Sequence, residues 1–313
     1  MGEVITVGSA NIDLIAYADR RPRNGETLPG NQFRISPGGK GLNQAVQVAR
    51  CGCQSCLVAR VGDDAFGATI REYLMHSRVQ LELLVNDAAG TGIGHVLVEP
   101  SGQYAAVIVA RANGNLCPDD VDRAASHFRR GSGLLLQLEV PIETDVYAAA
   151  VARKSGAMVF LNAAPARKLP DELLKNLDVL VVNEIEAEMM SGVTILNLET
   201  DGKKALKTLQ EMCANVVVSL GERGCVAMNA QGEAWYVPGH SVAVRNTLGA
   251  GDAFVGALSA RSVSGDDLLE AVQHANATAA AWVSGETTVA TSGGSRSAGT
   301  NASRAVSKPL RLR

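Results

Sequence analysis

Short aliphatic runs recur along the chain at 4–7, 57–61, 134–138, 158–161, 179–182 and 216–220, with little polar alternation inside them. Continuous apolar character over that length predicts strands covered on both faces. Between the runs, apolar positions return every three or four residues at 42–50, 66–76, 119–129, 143–154, 202–213, 253–263 and 267–283, the period of amphipathic helices. Repeated strand–helix–strand order predicts an α/β fold built on a doubly wound, mostly parallel sheet. Two stretches break the alternation. Residues 13–35 and 92–111 read as extended segments with turns at Arg23-Asn24-Gly25 and Pro100-Ser101-Gly102, which predicts a small separate β-sheet acting as a lid over the carboxyl ends of the main strands. From Gly285 the chain turns Gly-, Ser- and Thr-rich with five basic residues against one acid and no apolar period. The reading is one domain over 1–284 and a disordered tail over 285–313.

Composition removes several function classes. The 313 residues are 46% hydrophobic with a formal net charge of −3 and a mean hydropathy of +0.07, so there is no global basic field for nucleic acid or membrane. No basic segment followed by a long apolar stretch opens the chain, which suggests a cytoplasmic protein. Of six cysteines, Cys51, Cys53 and Cys56 cluster, but no second group offers ligands at zinc-finger spacing; they read as small buried thiols where a helix hands over to a strand.

The most informative segment is 246–257, NTLGAGDAFVGA, which follows an extended run at 240–244 and opens a helix. Glycines there let backbone N–H groups converge on an anion, and the helix dipole favours negative charge. Asp252 is then odd as part of a phosphate cradle but well placed to take a proton from a hydroxyl attacking that phosphate; it also reads simply as a favourable acid in a first helical turn. Ser36-Pro37-Gly38-Gly39-Lys40-Gly41-Leu42-Asn43-Gln44 allows close backbone approach to a polar ligand, with Asn43 offering donor and acceptor to sugar hydroxyls. Asn11 and Asp13 follow the first strand and Glu139 follows the third, at the carboxyl ends where α/β sheets hold ligands, although Asn11 and Asp13 equally suit an Asx turn. Asn183-Glu184-Ile185-Glu186 closes another strand with donors suited to water-mediated magnesium. Ser219, Leu220, Gly221, Glu222, Arg223 and Gly224 form a turn able to follow a nucleotide, or a plain hairpin. No Walker turn, protein-kinase signature or dinucleotide fingerprint is present.

Taken in order, these segments resemble the ribokinase-like PfkB carbohydrate kinases from about residue 3 to 283. The resemblance rests on Gly8-Ser9-Ala10-Asn11-Ile12-Asp13, Gly25-Glu26-Thr27, the 38–45 segment GGKGLNQA, Gln137-Leu138-Glu139, Ala163-Ala164-Pro165-Ala166, the 183–188 segment NEIEAE and Gly249-Ala250-Gly251-Asp252. It implies an ATP-dependent sugar kinase that phosphorylates the primary (O5) hydroxyl of D-ribose. In that reading Asn11, Ile12, Asp13, Gly39, Lys40, Gly41, Leu42, Asn43 and Glu139 hold the sugar. ATP meets Asn183, the turn from Ser219 to Gly224, Gly251 and Asn276. Asp252 is the base, the amides of Gly249, Ala250 and Gly251 are the anion hole, and Glu186 reaches Mg2+ through water. A homodimer through the lid is also implied.

Three departures bear on activity. Asn246 replaces the family's Asp beside a K+ site, which Leu248 would share through its carbonyl; Asn162-Ala163 replaces Asn-Pro; and the 285–313 segment departs from the family's final loop and helix. An ungapped count places Trp282, Gly285, Thr287 and Thr291 at the remaining K+ positions. A kinase of fructose, 2-keto-3-deoxygluconate or adenosine, or a weakly active sugar-binding regulatory protein, are the alternatives.

Overall fold

A computed structural model describes residues 2–286 and 309–312. Among them, a ten-stranded sheet runs in the order Leu310–Arg311, Ala234–Pro238, Gly224–Met228, Asn215–Ser219, Val179–Asn183, Met158–Asn162, Ser132–Gln137, Glu3–Val7, Gln54–Gly62 and Leu84–Asp87. From Asn215–Ser219 to Leu84–Asp87 every neighbouring pair is parallel; the three strands at the other end are antiparallel. The chain leaves Glu3–Val7 toward one edge through Gln54–Gly62 and returns to its other side at Ser132–Gln137. The carboxyl end of that first strand is therefore the topological switch point, where such sheets open a crevice.

Alternation along the strands explains why their middles are apolar. Ile5, Leu134, Leu136, Val159, Leu161 and Val182 pack into one core, while Val4, Leu135, Phe160, Val181 and Val217 pack into a second on the opposite face. Both faces are covered, as the continuous apolar runs predict. No helix among the described residues is long and apolar enough to cross a membrane.

The predicted second sheet is present, its first segment wider than 13–35 and its second ending at Val109. Gln32–Gly38, Asn11–Tyr17, Gly92–Val98 and Tyr104–Val109 pair in that order, the middle two parallel and the outer pairs antiparallel. Asn11 and Asp13 thus sit in a strand of this sheet rather than in an Asx turn.

Other elements differ from the sequence reading. The 240–244 run enters no strand; the pairing segment lies earlier, at Ala234–Pro238, whose Trp235 and Tyr236 face partners on both sides. The 119–129 helix is short, Pro118–Asp122, and gives way to a 3-10 turn at Ala125–His127. The tail read as disordered contributes Leu310–Arg311 to the large sheet and buries Leu312.

Two helices position the chemistry. Lys40–Arg50 packs along Ala250–Val263, and at Gly256 a Cβ would lie 2.7 Å from the Gln44 carbonyl and 2.8 Å from the Gln47 side chain. Only glycine permits that approach. Gly256→Ala is therefore expected to cost about 1–3 kcal/mol by overpacking, read as a lowered denaturant midpoint with an unchanged m-value.

Candidate active site

Two cavities open on the carboxyl side of the sheet. One, of about 530 Å3, has Asn11, Asp13, Gly39, Lys40, Asn43, Glu139, Asn183, Glu186 and Asp252 in its wall, with Val96, Tyr104, Ala106 and Ile108 of the second sheet. The other, of about 870 Å3, is bounded by Ser219, Gly221, Glu222, Arg223, Gly224, Asn276 and the 239–242 segment. Thr247, Gly251 and Phe254 belong to both walls, so the cavities meet at the start of the Ala250–Val263 helix.

Asp252 stands at this junction, 8% exposed. Asn43 Nδ2 donates to its Oδ2 at 3.0 Å and Gln44 Nε2 donates to its Oδ1 at 3.0 Å. The Gln44 amide is fixed in turn: its Nε2 also donates to Asn162 Oδ1 at 3.1 Å, and its Oε1 accepts from Gln137 Nε2 at 2.7 Å. Each buried polar atom here holds the next in orientation. Burial raises the Asp252 carboxyl above its ordinary range; the Lys40 charge and the two amide donors oppose this and Glu139 adds to it.

Glu139 organises the loop before the Lys40–Arg50 helix. Its Oε2 accepts from Ser9 Oγ at 2.5 Å and from the Lys40 amide at 3.1 Å. Asn113 Nδ2 donates to Asn11 Oδ1 at 2.6 Å, which commits the Asn11 oxygen and leaves its amide hydrogens to the cavity. Burial works against the Lys40 charge, but Asp252, Glu139 and Glu186, with Tyr104, outweigh it and hold the ammonium above its ordinary pKa.

At the helix start, Gly249 takes φ 82°, a left-handed conformation suited to glycine. The Ala250 N–H turns back to the Thr247 carbonyl at 3.2 Å. Among the described residues, no bond of this kind takes the amides of Gly249 and Gly251, the orphan donors of a helix start.

Across the smaller cavity, Asn183 caps the Glu184–Ser191 helix: its Oδ1 accepts from the Glu186 amide and its own backbone amide donates to Glu186 Oε2, both at 2.8 Å. Burial raises the Glu186 carboxyl, against that backbone donor and Lys40. Among the described residues its second oxygen has no hydrogen-bond partner, and an all-oxygen donor of this kind fits a hydrated Mg2+. Asn276 Nδ2 donates to the Pro238 carbonyl at 2.8 Å.

Several expected contacts fall elsewhere. Ile12 and Leu42 are fully buried in the apolar core, and Leu220 is 3% exposed, so their side chains face away from both cavities. Gly41 closes its helix onto the first strand, since a Cβ there would meet the Gly8 and Ser9 backbone at 2.7 Å. The Arg223 guanidinium pairs with Glu184 at 2.5 Å and with the Ile195 carbonyl. Near the expected K+ position, Trp282 Nε1 donates to the Leu248 carbonyl at 2.8 Å and Asn246 Oδ1 accepts from the Leu248 amide at 3.1 Å. The Trp282 carbonyl accepts from the Gly285 amide, and its indole, a donor only, braces this loop. Thr287 and Thr291 lie outside the described residues.

Sequence reasoning passed over Ser9, Asn113, Gln137 and Asn162, which hold the site residues in place, and left Gln44 without a role. The detectable signal was Gln137 at the end of an otherwise aliphatic strand, a buried amide that needs partners.

A covered α/β sheet whose two cavities meet at one carboxylate and an open helix start defines a phosphotransferase acting on an alcohol. The chain matches pfkB family carbohydrate kinases over residues 1–292 and belongs to that family; it is a ribokinase-like, ATP-dependent sugar kinase. It is 38% identical over 260 residues to ribokinase of Mus musculus, covering 82% of this chain and 80% of that one. It is 33% identical to deoxyribokinase of Salmonella typhi, covering 91% and 94%. The structure of Arabidopsis thaliana ribokinase complexed with ribose and ATP superposes with a TM-score of 0.79 at 29% identity, covering 90% and 92%.

Asp13 supplies a pH test. Burial, then the charges of Glu139 and Asp252, raise its pKa from 3.8 to about 6. Between those values the folded protein binds more protons than the unfolded chain, so this group's contribution to stability falls as pH rises through the window. Carboxyl-resolved NMR of the sugar-free protein should find Asp13 titrating near 6, and Glu139→Gln should move that titration down.

Proposed function

We propose that this kinase transfers the terminal phosphoryl group of ATP to the primary O5 hydroxyl of D-ribose, giving ribose 5-phosphate and ADP. The observation that carries the reading is the position of Asp252, a desolvated carboxylate fixed by two amides where the two cavities meet. Asn11, Asp13, Lys40, Asn43 and Glu139 hold the sugar by short donor and acceptor groups, and the second sheet closes over it to exclude water. Asp252 accepts the hydroxyl proton as the oxygen attacks phosphorus in line. A carboxyl with a raised pKa is the better proton acceptor near neutrality. The amides of Gly249 and Gly251 face the oxygens that gain charge. The larger cavity takes the nucleotide along the turn from Ser219 to Gly224, beside Asn276, with Asn183 reached from the smaller cavity where the two meet. Mg2+ neutralises phosphate charge when bound, with Glu186 oriented toward its water shell.

The Salmonella typhi relative makes 2-deoxyribose the nearest competing acceptor. In a coupled ADP-release assay, ribose should give a higher kcat/KM than 2-deoxyribose, fructose, 2-keto-3-deoxygluconate or adenosine, and Asp252→Asn should lower kcat by about 10²–10⁴-fold with sugar binding retained. Near-normal turnover in the variant would remove Asp252 from this role, and preference for another acceptor would reassign the substrate.

The second sheet also supplies a candidate dimer face. Phe33, Ile35, Val107 and Val109 are 60%, 51%, 66% and 46% exposed, an apolar patch suited to a second copy of the chain. The whole reading is compatible with a protein of the cytoplasm.

A weakened response to K+ completes the proposal. The Asn246, Leu248 and Trp282 side of the site opens on a cavity of about 600 Å3 whose wall includes Arg34, Arg50 and Arg245, with Asp13 as its one acid among the described residues. The Arg50 guanidinium lies 5.2 Å from the Trp282 ring centroid. Fixed positive charge and the missing carboxylate both disfavour a monovalent cation there. Asn246→Asp is therefore expected to lower the half-saturating K+ concentration at saturating ribose and ATP; coincident activation curves would show that Asn246 is no ligand.

A further inference from the structure

Toward the amino ends of the parallel strands, away from both cavities, three polar side chains converge on one buried thiol. Cys56 is fully buried in Gln54–Gly62, and Glu3 is 4% exposed at the start of Glu3–Val7. His127, from the 3-10 turn Ala125–His127, completes a triad whose donor atoms lie within 4.8 Å of one another. Cys56 Sγ is 3.6 Å from Glu3 Oε1 and 3.7 Å from His127 Nδ1, and those two atoms are 2.8 Å apart. Gln80 Oε1 lies 2.7 Å from the same sulfur. The Arg129 guanidinium sits 2.6 Å from the other Glu3 oxygen.

A buried free thiol ordinarily packs among apolar groups. Here it is ringed by an oxygen anion, an imidazole nitrogen and an amide oxygen, a mixed set of ligand types. In a tetrahedral zinc site, sulfur at about 2.3 Å and nitrogen or oxygen at about 2.0–2.2 Å from the ion stand roughly 3.5 Å from one another. The sulfur separations to Glu3 and His127 already match, while the Gln80 oxygen, 2.7 Å from the sulfur, needs to draw back by roughly 0.8 Å. The nitrogen–oxygen edge, now a hydrogen bond, needs to open by roughly half an ångström to reach a length near that figure.

We propose that Glu3 Oε1, Cys56 Sγ and His127 Nδ1 form a binding site for one divalent cation of the zinc class, with Gln80 Oε1 within reach as a fourth ligand. Arg129 would remain on the outer Glu3 oxygen and orient the carboxylate. Uptake releases the Cys56 proton and leaves the His127 ring proton on Nε2, so that Nδ1 presents its lone pair. The His127 side chain is 22% exposed and gives an entry path. Such an ion would tie two central strands to the turn before Ser132–Gln137, a structural role remote from phosphoryl transfer.

The test uses the full chain, stripped with a chelator and titrated with Co2+. One equivalent is expected to bind with a thiolate-to-cobalt charge-transfer band and the visible bands of a four-coordinate ion, and Zn2+ should displace it. Cys56→Ser should remove the charge-transfer band while Cys51→Ser retains it. His127→Ala changes a partly exposed side chain, so it provides a second variant should Cys56→Ser fail to fold; it should weaken Co2+ binding at least about tenfold. Absence of the band at stoichiometric Co2+, its survival in Cys56→Ser, or unchanged affinity in His127→Ala would overturn the site.

Discussion

The site depends on the pair of amide-to-carboxylate hydrogen bonds that Asn43 and Gln44 make to Asp252. They join the first helix after the switch point to a helix two hundred residues later in the chain, and they are made by adjacent residues of one helical turn. A carboxylate held at both oxygens has little rotational freedom, which suits a group that must meet a proton at one position. The contact exists because Gly256 lets the helices approach and because Gln137 and Asn162 fix the Gln44 amide from the sheet side. Packing, hydrogen bonding and chemistry thus share one constraint. A change that loosens the helix pair loosens the Asp252 carboxylate with it.

Charge is the second organising feature. Asp13, Glu139, Glu186 and Asp252 border a single cavity with Lys40 as the cation among them. Burial raises Asp13, Asp252 and Glu186 together, so the pocket presents hydrogen-bond acceptors rich enough to take several hydroxyls. It is poorly suited to an anionic sugar group at the same place, since desolvated carboxylates repel it. In the proposed reaction phosphate charge is met instead at the open amides of the helix start, beside Asp252. That reading separates an acceptor-rich wall for the sugar from a donor-rich turn for the phosphate.

Much of this was legible in the sequence for a physical reason. Strands buried on both faces must be apolar throughout, so 134–138 and 179–182 announced themselves, and glycines at 39, 249 and 251 marked places where backbone lines the cavity. Asn11, Asp13, Asn43, Glu139 and Asp252 could be read as a set because carboxyl ends of parallel strands face one way. The failures have equally local causes. Ile12 and Leu42 alternate with site residues and so point into the core; proximity in a motif does not fix the direction of a side chain. The 240–244 run is β-branched enough to read as extended, yet tertiary pairing belongs to Ala234–Pro238. Asn113 could not be read at all, because its role is to orient Asn11 across a hundred residues of chain.

The same topology accounts for what local spacing concealed about the cysteines. Glu3–Val7 lies between Gln54–Gly62 and Ser132–Gln137 in the sheet, so residues at equivalent heights on the three strands and their connections are neighbours however distant in sequence. At the carboxyl ends this brings 9, 11, 43 and 139 into one site. At the amino ends it brings 3, 56 and 127 together by the same rule. A search for ligands at short sequence intervals finds sites built on one turn or one helix, and a doubly wound sheet builds its sites across strands. The absence of a zinc-finger spacing around Cys56 therefore says nothing against a metal there; the relevant interval is measured across the sheet, where the sulfur, the carboxylate and the imidazole already stand within 4.8 Å.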